Sequence, residues 1–70
     1  MDRALNIVVN GIPRGVPAGC TVDQLLDTLA PRRGRIAVER NGEIVPKSRH
    51  RDTALADGDR VELVVAVGGG

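Results

Sequence analysis

The stretch Thr21-Val-Asp-Gln-Leu-Leu-Asp-Thr-Leu-Ala-Pro31 predicts the one helix of this chain. Its first four residues form a capping box, in which the Thr21 hydroxyl accepts from the Gln24 backbone N–H and the Gln24 side chain reaches back to Thr21. Pro31 disfavours helical geometry at the residue before it, so the helix should span Val22 to Ala30. One apolar stripe results from the i, i+3, i+4, i+7 spacing of Val22, Leu25, Leu26 and Leu29. A helix this short must pack on a sheet to be stable.

A hairpin is predicted before the helix. Ala4 to Val9 alternates its side chains with a period of two, so Leu5, Ile7 and Val9 share one face. Asn10-Gly11 favours a two-residue type I′ turn, because both central residues of that turn need a positive φ. The second arm, Ile12 to Val16, contains Pro13, which cannot donate a hydrogen bond to a sheet. We therefore expect this arm at an edge of the sheet.

A second hairpin and a last strand are predicted after the helix. Ile36 to Arg40 reads as a strand, Asn41-Gly42 as a turn, and Glu43 to Val45 as a short strand that stops at a proline. Asp57-Gly58-Asp59 is typical of a turn and precedes the last strand, which begins near Val61. Hairpin, helix, hairpin and strand in this order predict a two-layer α+β domain, because one amphipathic helix covers one face of one sheet.

The opposite face of the predicted sheet has no helix to cover it. On that face the last strand places Val64 and Ala66, which would leave apolar surface next to the end of the chain. An exposed apolar patch can be a surface that a partner grips. Ordinary half-buried packing of a strand explains the same two residues, and the sequence leaves both interpretations open.

Size and composition limit the possible functions. Seventy residues form one small domain, and such a domain buries only about 60% of the surface of its unfolded chain. The net charge of +1, from ten basic and nine acidic residues, is too balanced for a nucleic-acid binder. No apolar run approaches the roughly 20 residues of a membrane span, and no signal peptide is apparent. We expect a cytoplasmic protein that recognises its partners by shape.

Few side chains could carry chemistry. Cys20 is the only cysteine, so it can build neither an internal disulfide nor a cysteine-based metal site. We interpret its thiol as structural, with a reactive thiol near the helix start as the alternative. Ser48, His50 and Asp52 have the residue types of a hydrolase triad, but they alternate along one polar loop, for which a solvated loop is the better interpretation. We expect no catalytic residue and no metal site.

A basic loop follows the helix, with Arg32, Arg33 and Arg35 around Gly34. A solvated loop is one interpretation of this cluster. Docking on an acidic partner is the other.

The segment Val61-Glu-Leu-Val-Val-Ala-Val-Gly-Gly-Gly70 runs from an apolar strand directly into glycines. Residues 68–70 have no side chains to pack, so we predict a flexible tail there behind a domain of residues 1–67. Without Cβ atoms such a tail can pass through a narrow channel, and its terminal carboxylate is sterically open. A frayed terminus or a remnant of expression is the alternative interpretation.

Three stretches resemble the ThiS family, the sulfur carriers of thiamine biosynthesis. They are Ile36-Ala-Val-Glu-Arg-Asn-Gly-Glu-Ile-Val-Pro-Lys47, Leu55-Ala-Asp-Gly-Asp-Arg-Val-Glu-Leu63 and Val67-Gly-Gly-Gly70. Asn10-Gly11 and the helix start at Thr21-Val22 are similar too, so the resemblance spans nearly the whole chain. It implies the ubiquitin-like β-grasp fold, a mixed sheet of four to five strands with one helix packed on one face. The first and last strands would then be parallel neighbours in the sheet centre.

The resemblance also implies a chemistry for the end of the chain. The Gly70 carboxylate would be the attachment site, which a ThiF-type adenylyltransferase activates with ATP. Sulfur from a cysteine desulfurase or a persulfide protein would replace AMP and leave a thiocarboxylate. A ThiG-type thiazole synthase would then take this sulfur into the thiazole ring. The residues expected to contact these partners are Gly68, Gly69, Val64 and Ala66. The carrier would be non-catalytic and would bind no cofactor, since its partner consumes the ATP.

Other functions stay open at this point. Proteins with the same fold and ending serve molybdopterin synthesis, tRNA thiolation or secondary metabolism. A ubiquitin-like modifier would use the same adenylate but would end on a lysine amine. An RNA-binding adaptor would not need its terminus, and the near-neutral charge counts against it. Arg3 and the basic loop are not part of the family pattern, which leaves the details of partner binding open.

Overall fold

Five strands and one α-helix make up the part of the chain that the computed structural model describes, residues 4–29 and 35–66. The elements in order are β1 (Ala4–Val9), β2 (Ile12–Pro17), α1 (Val22–Leu29), β3 (Arg35–Arg40), β4 (Glu43–Val45), a 3-10 helix (Lys47–Arg49) and β5 (Arg60–Ala66). The sheet order is β2-β1-β5-β3-β4. β1 and β5 are parallel, and the other neighbours are antiparallel. The predicted mixed sheet and its parallel inner pair are confirmed.

Both hairpin turns depend on an Asn-Gly pair. The φ angles are 49° at Asn10 and 82° at Gly11, and they are 52° at Asn41 and 87° at Gly42. Two consecutive positive φ values are the signature of the type I′ turn, whose twist matches that of the strands it joins. The two predicted hairpins are therefore confirmed at the residues that the sequence indicated.

β2 lies at one edge of the sheet, as Pro13 predicted. Pro13 is opposite Val8 of β1, and its missing N–H costs nothing because no described strand lies on its other side. Val16 is the one residue of β2 that is buried. β2 therefore contributes little to the core and mainly covers the edge of β1.

Helix α1 begins at the predicted capping box. The Gln24 N–H donates to Thr21 Oγ1 at 3.2 Å, and the Thr21 N–H donates to Gln24 Oε1 at 3.1 Å. These two bonds give acceptors to the backbone N–H groups of Thr21 and Gln24. The N–H of Gln24 lies in the first turn of the helix, where the helix itself supplies no acceptor. The helix is described as far as Leu29, so its predicted end at residues 30–31 lies outside the described residues. Arg32 and Arg33 of the basic loop lie there too, and Arg35 begins β3.

The core lies between α1 and the sheet face that the helix covers. Its buried members are Ile7, Val9, Val16, Cys20, Val22, Leu25, Leu26, Val38, Leu55 and Val61. All but Cys20 are aliphatic, as a chain without Phe, Tyr or Trp requires. Leu29 and Leu63 pack against this cluster and are partly buried. The helix stripe predicted from the sequence is confirmed, and no described element covers the opposite face.

The segment after β4 differs from the sequence interpretation. His50 is only 5% exposed. Its Nε2 lies 3.1 Å from the carbonyl oxygen of Val45, and its own carbonyl accepts from the Asp23 N–H at 2.9 Å. The prediction of a solvated loop was wrong for His50, because the ring bonds to β4 while its backbone bonds to the first turn of α1.

Candidate partner-binding site

The predicted site residues fall into two groups. Gly68, Gly69 and Gly70 lie outside the described residues, so their predicted roles stay predictions. Val64 and Ala66 lie on β5, on the sheet face that the helix does not cover. Val64 is 62% exposed, while for Ala66 only the position on the strand is described. The structure thus places an accessible apolar side chain on the strand that leads to the glycines.

β5 is held by neighbours on both sides where it begins. It pairs with β1 through Val8↔Arg60 and Val9↔Val61. It pairs with β3 over its length, from Arg40↔Val61 to Arg35↔Ala66. Strand pairing therefore fixes the point from which residues 67–70 continue.

A buried carboxylate anchors the turn before β5. Asp59 Oδ2 accepts from Arg40 Nε at 2.7 Å and from the Ala56 N–H at 2.8 Å, and Oδ1 accepts from Asn41 Nδ2 at 3.0 Å. Burial by itself would raise the pKa of Asp59, but these three hydrogen bonds and the Arg40 charge hold the pKa below its usual value. The carboxylate thus ties the start of β5 to the β3–β4 turn.

The two turn asparagines also bond to β5. The Leu63 N–H donates to Asn10 Oδ1 at 2.7 Å, and the Arg60 N–H donates to Asn41 Oδ1 at 2.9 Å. Sequence reasoning assigned these asparagines only to their turns. Their second role is to accept hydrogen bonds from residues that are 53 and 19 positions away along the chain. No local sequence pattern predicts bonds between residues so far apart.

The uncovered face of the sheet carries more apolar surface than the sequence analysis singled out. Ile44 is 63% exposed, nearly the same as Val64. Ala37 lies directly opposite Val64, and Ile44 lies directly opposite Glu39, so all four share one face. The missed signal was the register of the β3–β4 hairpin, which the Asn41-Gly42 turn sets and which places Ile44 on this face.

Cys20 is buried, and its Sγ donates to the carbonyl of Thr21 at 3.5 Å. Burial raises the pKa of this thiol, which disfavours the nucleophilic thiolate. The structural interpretation of Cys20 is therefore favoured over a reactive one.

Two groupings of side chains would indicate chemistry in the described residues, a catalytic triad and a metal-binding cluster. No hydrogen bond in residues 4–29 and 35–66 links His50 to Ser48 or Asp52, so these three do not form a triad. The same part of the chain contains no group of three His, Cys, Asp or Glu residues that could hold a metal ion. None of its helices is long and apolar enough to cross a bilayer.

Known proteins resemble this chain in both sequence and fold. The sulfur carrier protein ThiS of Bacillus subtilis is 40% identical over 50 residues, which are 71% of this chain and 76% of that protein. The crystal structure of the thiamine biosynthesis protein ThiS from Geobacter metallireducens superposes with a TM-score of 0.76 at 36% identity, over 94% of this chain and 100% of that chain. The fold is therefore the ubiquitin-like β-grasp of these proteins.

A longer protein also contains a region similar to this chain. A thiazole synthase of Paramagnetospirillum magneticum is 46% identical over 66 residues, or 94% of this chain. The chain spans only 20% of the length of that synthase. The model of the ThiS family matches residues 7–70. With this match and these relatives, the chain belongs to the ThiS family of sulfur carrier proteins.

Proposed function

We propose that this protein carries sulfur for thiamine biosynthesis as a thiocarboxylate at Gly70. The observation that carries the proposal is the extent of the ThiS family match, which runs through β5 and the glycines to residue 70. β5 is paired on both sides where it begins, and in sequence it is followed by Val67 and then by three glycines without side chains. This combination suits a terminus that has to enter the active site of another protein.

The proposed chemistry begins with activation, because a carboxylate with a pKa near 3.5 is an unreactive anion at neutral pH. A ThiF-type adenylyltransferase would join the Gly70 carboxylate to AMP and release pyrophosphate from ATP. A sulfur nucleophile would then attack the acyl carbon. The new C–S bond forms as the C–O bond to AMP breaks, and AMP leaves with the bonding electrons. With hydrosulfide this exchange needs no oxidant or reductant; with a persulfide protein or cysteine desulfurase as donor, a thiol must cleave the acyl disulfide.

The acceptor we propose is a ThiG-type thiazole synthase, which would place the sulfur in the thiazole ring. The thiazole synthase of Paramagnetospirillum magneticum supports this choice over molybdopterin or tRNA thiolation, because a fifth of its length resembles this chain. In this scheme the chain is a carrier and its partners do the catalysis. ATP is consumed by the adenylating partner, and the chain itself holds no cofactor.

Val64 and Ala66 would contact these partners, and Gly68 and Gly69 would pass through the channel that leads to the reacting carbon. The 62% exposure of Val64 supports this role. An exposed β-branched side chain is stiff, so little rotamer freedom is lost when a partner covers it.

Intact-mass spectrometry tests the proposal. The chain is incubated with ATP, a ThiF-type enzyme and sodium sulfide, and we expect a mass increase equal to one oxygen-to-sulfur exchange. Omission of ATP is the control and should abolish the product. Repeated failure with an enzyme that thiolates its own carrier in parallel would contradict the proposal. Covalent conjugates to lysine in place of the thiocarboxylate would indicate a ubiquitin-like modifier.

A further inference from the structure

Two glutamates occupy directly opposite positions in the middle of the uncovered sheet face. Glu39 of β3 lies directly opposite Glu62 of β5. Like charges at directly opposite positions destabilise a sheet. Neither side chain takes part in the ion pairs or side-chain hydrogen bonds of residues 4–29 and 35–66. The pair therefore costs stability and is not compensated within the described chain.

Apolar side chains surround this pair. Ile44 is directly opposite Glu39 on the outer side, and Val64 follows Glu62 by two residues on the same face of β5. Both are more than 60% exposed. We call the set Ala37, Glu39, Ile44, Glu62 and Val64 the acidic-apolar patch. It combines an unpaired double negative charge with accessible hydrophobic surface.

Two arginines share this face of the sheet: Arg35 precedes Ala37 by two residues on β3 and lies opposite Ala66, and Arg60 is at the start of β5. Arg60 precedes Glu62 by two residues on the same face, but it forms no ion pair with either glutamate within the described residues. Arg60 therefore neutralises neither glutamate by direct pairing.

We infer that the acidic-apolar patch docks a partner protein whose contact surface is apolar and carries an arginine or lysine that lies against Glu39 and Glu62. A guanidinium can bond to two carboxylates at once, and such charge-assisted bonds are the strong ones. The inserted cation would also remove the repulsion that the free domain carries. The inference rests on the proposed function, because it identifies the chemistry of the enzyme surface that receives this carrier.

The charge of the patch argues against a second copy as the occupant. Two copies joined through an interface centred on Glu39 and Glu62 would bring four carboxylates together, and like charges opposite each other weaken an interface. The position of the patch favours an enzyme that uses the terminus. Val64 lies two residues before the end of β5, so a protein seated on the patch would lie beside the end of the strand that precedes Val67 and the glycines in sequence.

The experiment uses charge variants of the full chain. Glu39→Gln and Glu62→Gln each remove one carboxylate, and a double variant with Glu39→Lys and Glu62→Lys reverses both. Glu43→Lys is the matched control, because Glu43 is also exposed and lies on the same hairpin but is opposite Arg40, on the other face. Calorimetry measures Kd for a ThiF-type adenylyltransferase and a ThiG-type thiazole synthase, and thermal melting reports Tm for each variant alone.

Relief of the repulsion should leave the Tm of both glutamine variants at or above that of wild type. Their affinity for at least one of the two enzymes should fall by about tenfold, and the double reversal should lose more. The Glu43→Lys control should bind as wild type does. This combination of retained Tm and lost affinity is not what a structural role for the pair would produce.

The outcomes separate this inference from the proposed function. Unchanged Kd in the double reversal, with the thiocarboxylate still formed, overturns the patch and leaves the carrier function intact. Affinity that falls only in the Glu39 and Glu62 variants, with no thiocarboxylate in any of them or in wild type, supports the patch and contradicts the function. Wild-type chain that binds neither enzyme overturns both.

Discussion

Valine side chains on the two faces of the sheet differ in their exposure to solvent. Val61 and Val64 are three positions apart on β5, yet Val61 is 1% exposed and Val64 is 62% exposed. Helix α1 covers the first, and nothing in the described chain covers the second. The difference indicates that one face stabilises the domain while the other is available for recognition. Substitutions on the two faces should therefore separate folding from function.

Removal of Gly69 and Gly70 should give the largest effect on function. The shortened chain ends at Gly68, so its carboxylate is up to about 7 Å short of the adenylation centre and cannot react. Thiocarboxylate formation, followed by intact mass, should be abolished. The free energy of unfolding should change by no more than about 0.5 kcal/mol, since these residues have no side chains to bury.

Gly69→Val is the control that keeps the length. Its branched side chain should block passage through a narrow channel while leaving Tm unchanged. Thiolation of both variants at the wild-type rate would show that the terminus is not the working group.

Leu26→Ala should have the largest effect on stability. Leu26 belongs to the helix stripe and is buried against the sheet. Its truncation leaves a cavity and should lower the free energy of unfolding by roughly 2 to 5 kcal/mol. Urea denaturation measures this change, and Leu26→Met should restore most of the loss. A change near zero would mean that the helix-covered face does not stabilise the domain.

Asp59→Asn should remove part of the acid sensitivity of the fold. The folded-state pKa of Asp59 is below its usual value, so the stability from its hydrogen bonds is fully present above about pH 4 and is lost as pH falls through the lower, folded-state pKa. Unfolding curves between neutral and strongly acidic pH should be flatter in this region for the variant. Identical pH profiles would contradict a stabilising role for the Asp59 carboxylate.

Val64→Ala should have the smallest effect on stability. The side chain is exposed, so we expect the free energy of unfolding to change by no more than about 0.5 kcal/mol. Its affinity for an adenylating or thiazole-forming partner should still fall, because apolar contact area is lost. Melting and calorimetry on the same sample measure both. A loss of stability comparable to that of Leu26→Ala would remove the distinction between the two faces.

Sequence patterns predicted the elements that depend on near neighbours. The capping box, the two Asn-Gly turns and the edge position of Pro13 were all confirmed. Each depends on φ angles or hydrogen bonds within a few residues, so the local sequence determines them. The resemblance to the ThiS family supplied the parallel pairing of β1 and β5, which no local pattern contains.

Only the tertiary structure decided which side chains of distant segments meet. His50 was predicted to be solvated, but the chain folds back so that its ring reaches Val45 and its carbonyl reaches α1. The bond between Arg40 and Asp59 joins residues 19 positions apart.

Only the tertiary structure places Glu39 opposite Glu62. Opposite positions on β3 and β5 are set by the register of two strands that are not adjacent in sequence. A shift of one residue in that register would turn the partner residue to the other face. The sequence therefore determines the local turns and the helix, whereas the charge pattern of the uncovered face exists only once the strands have paired.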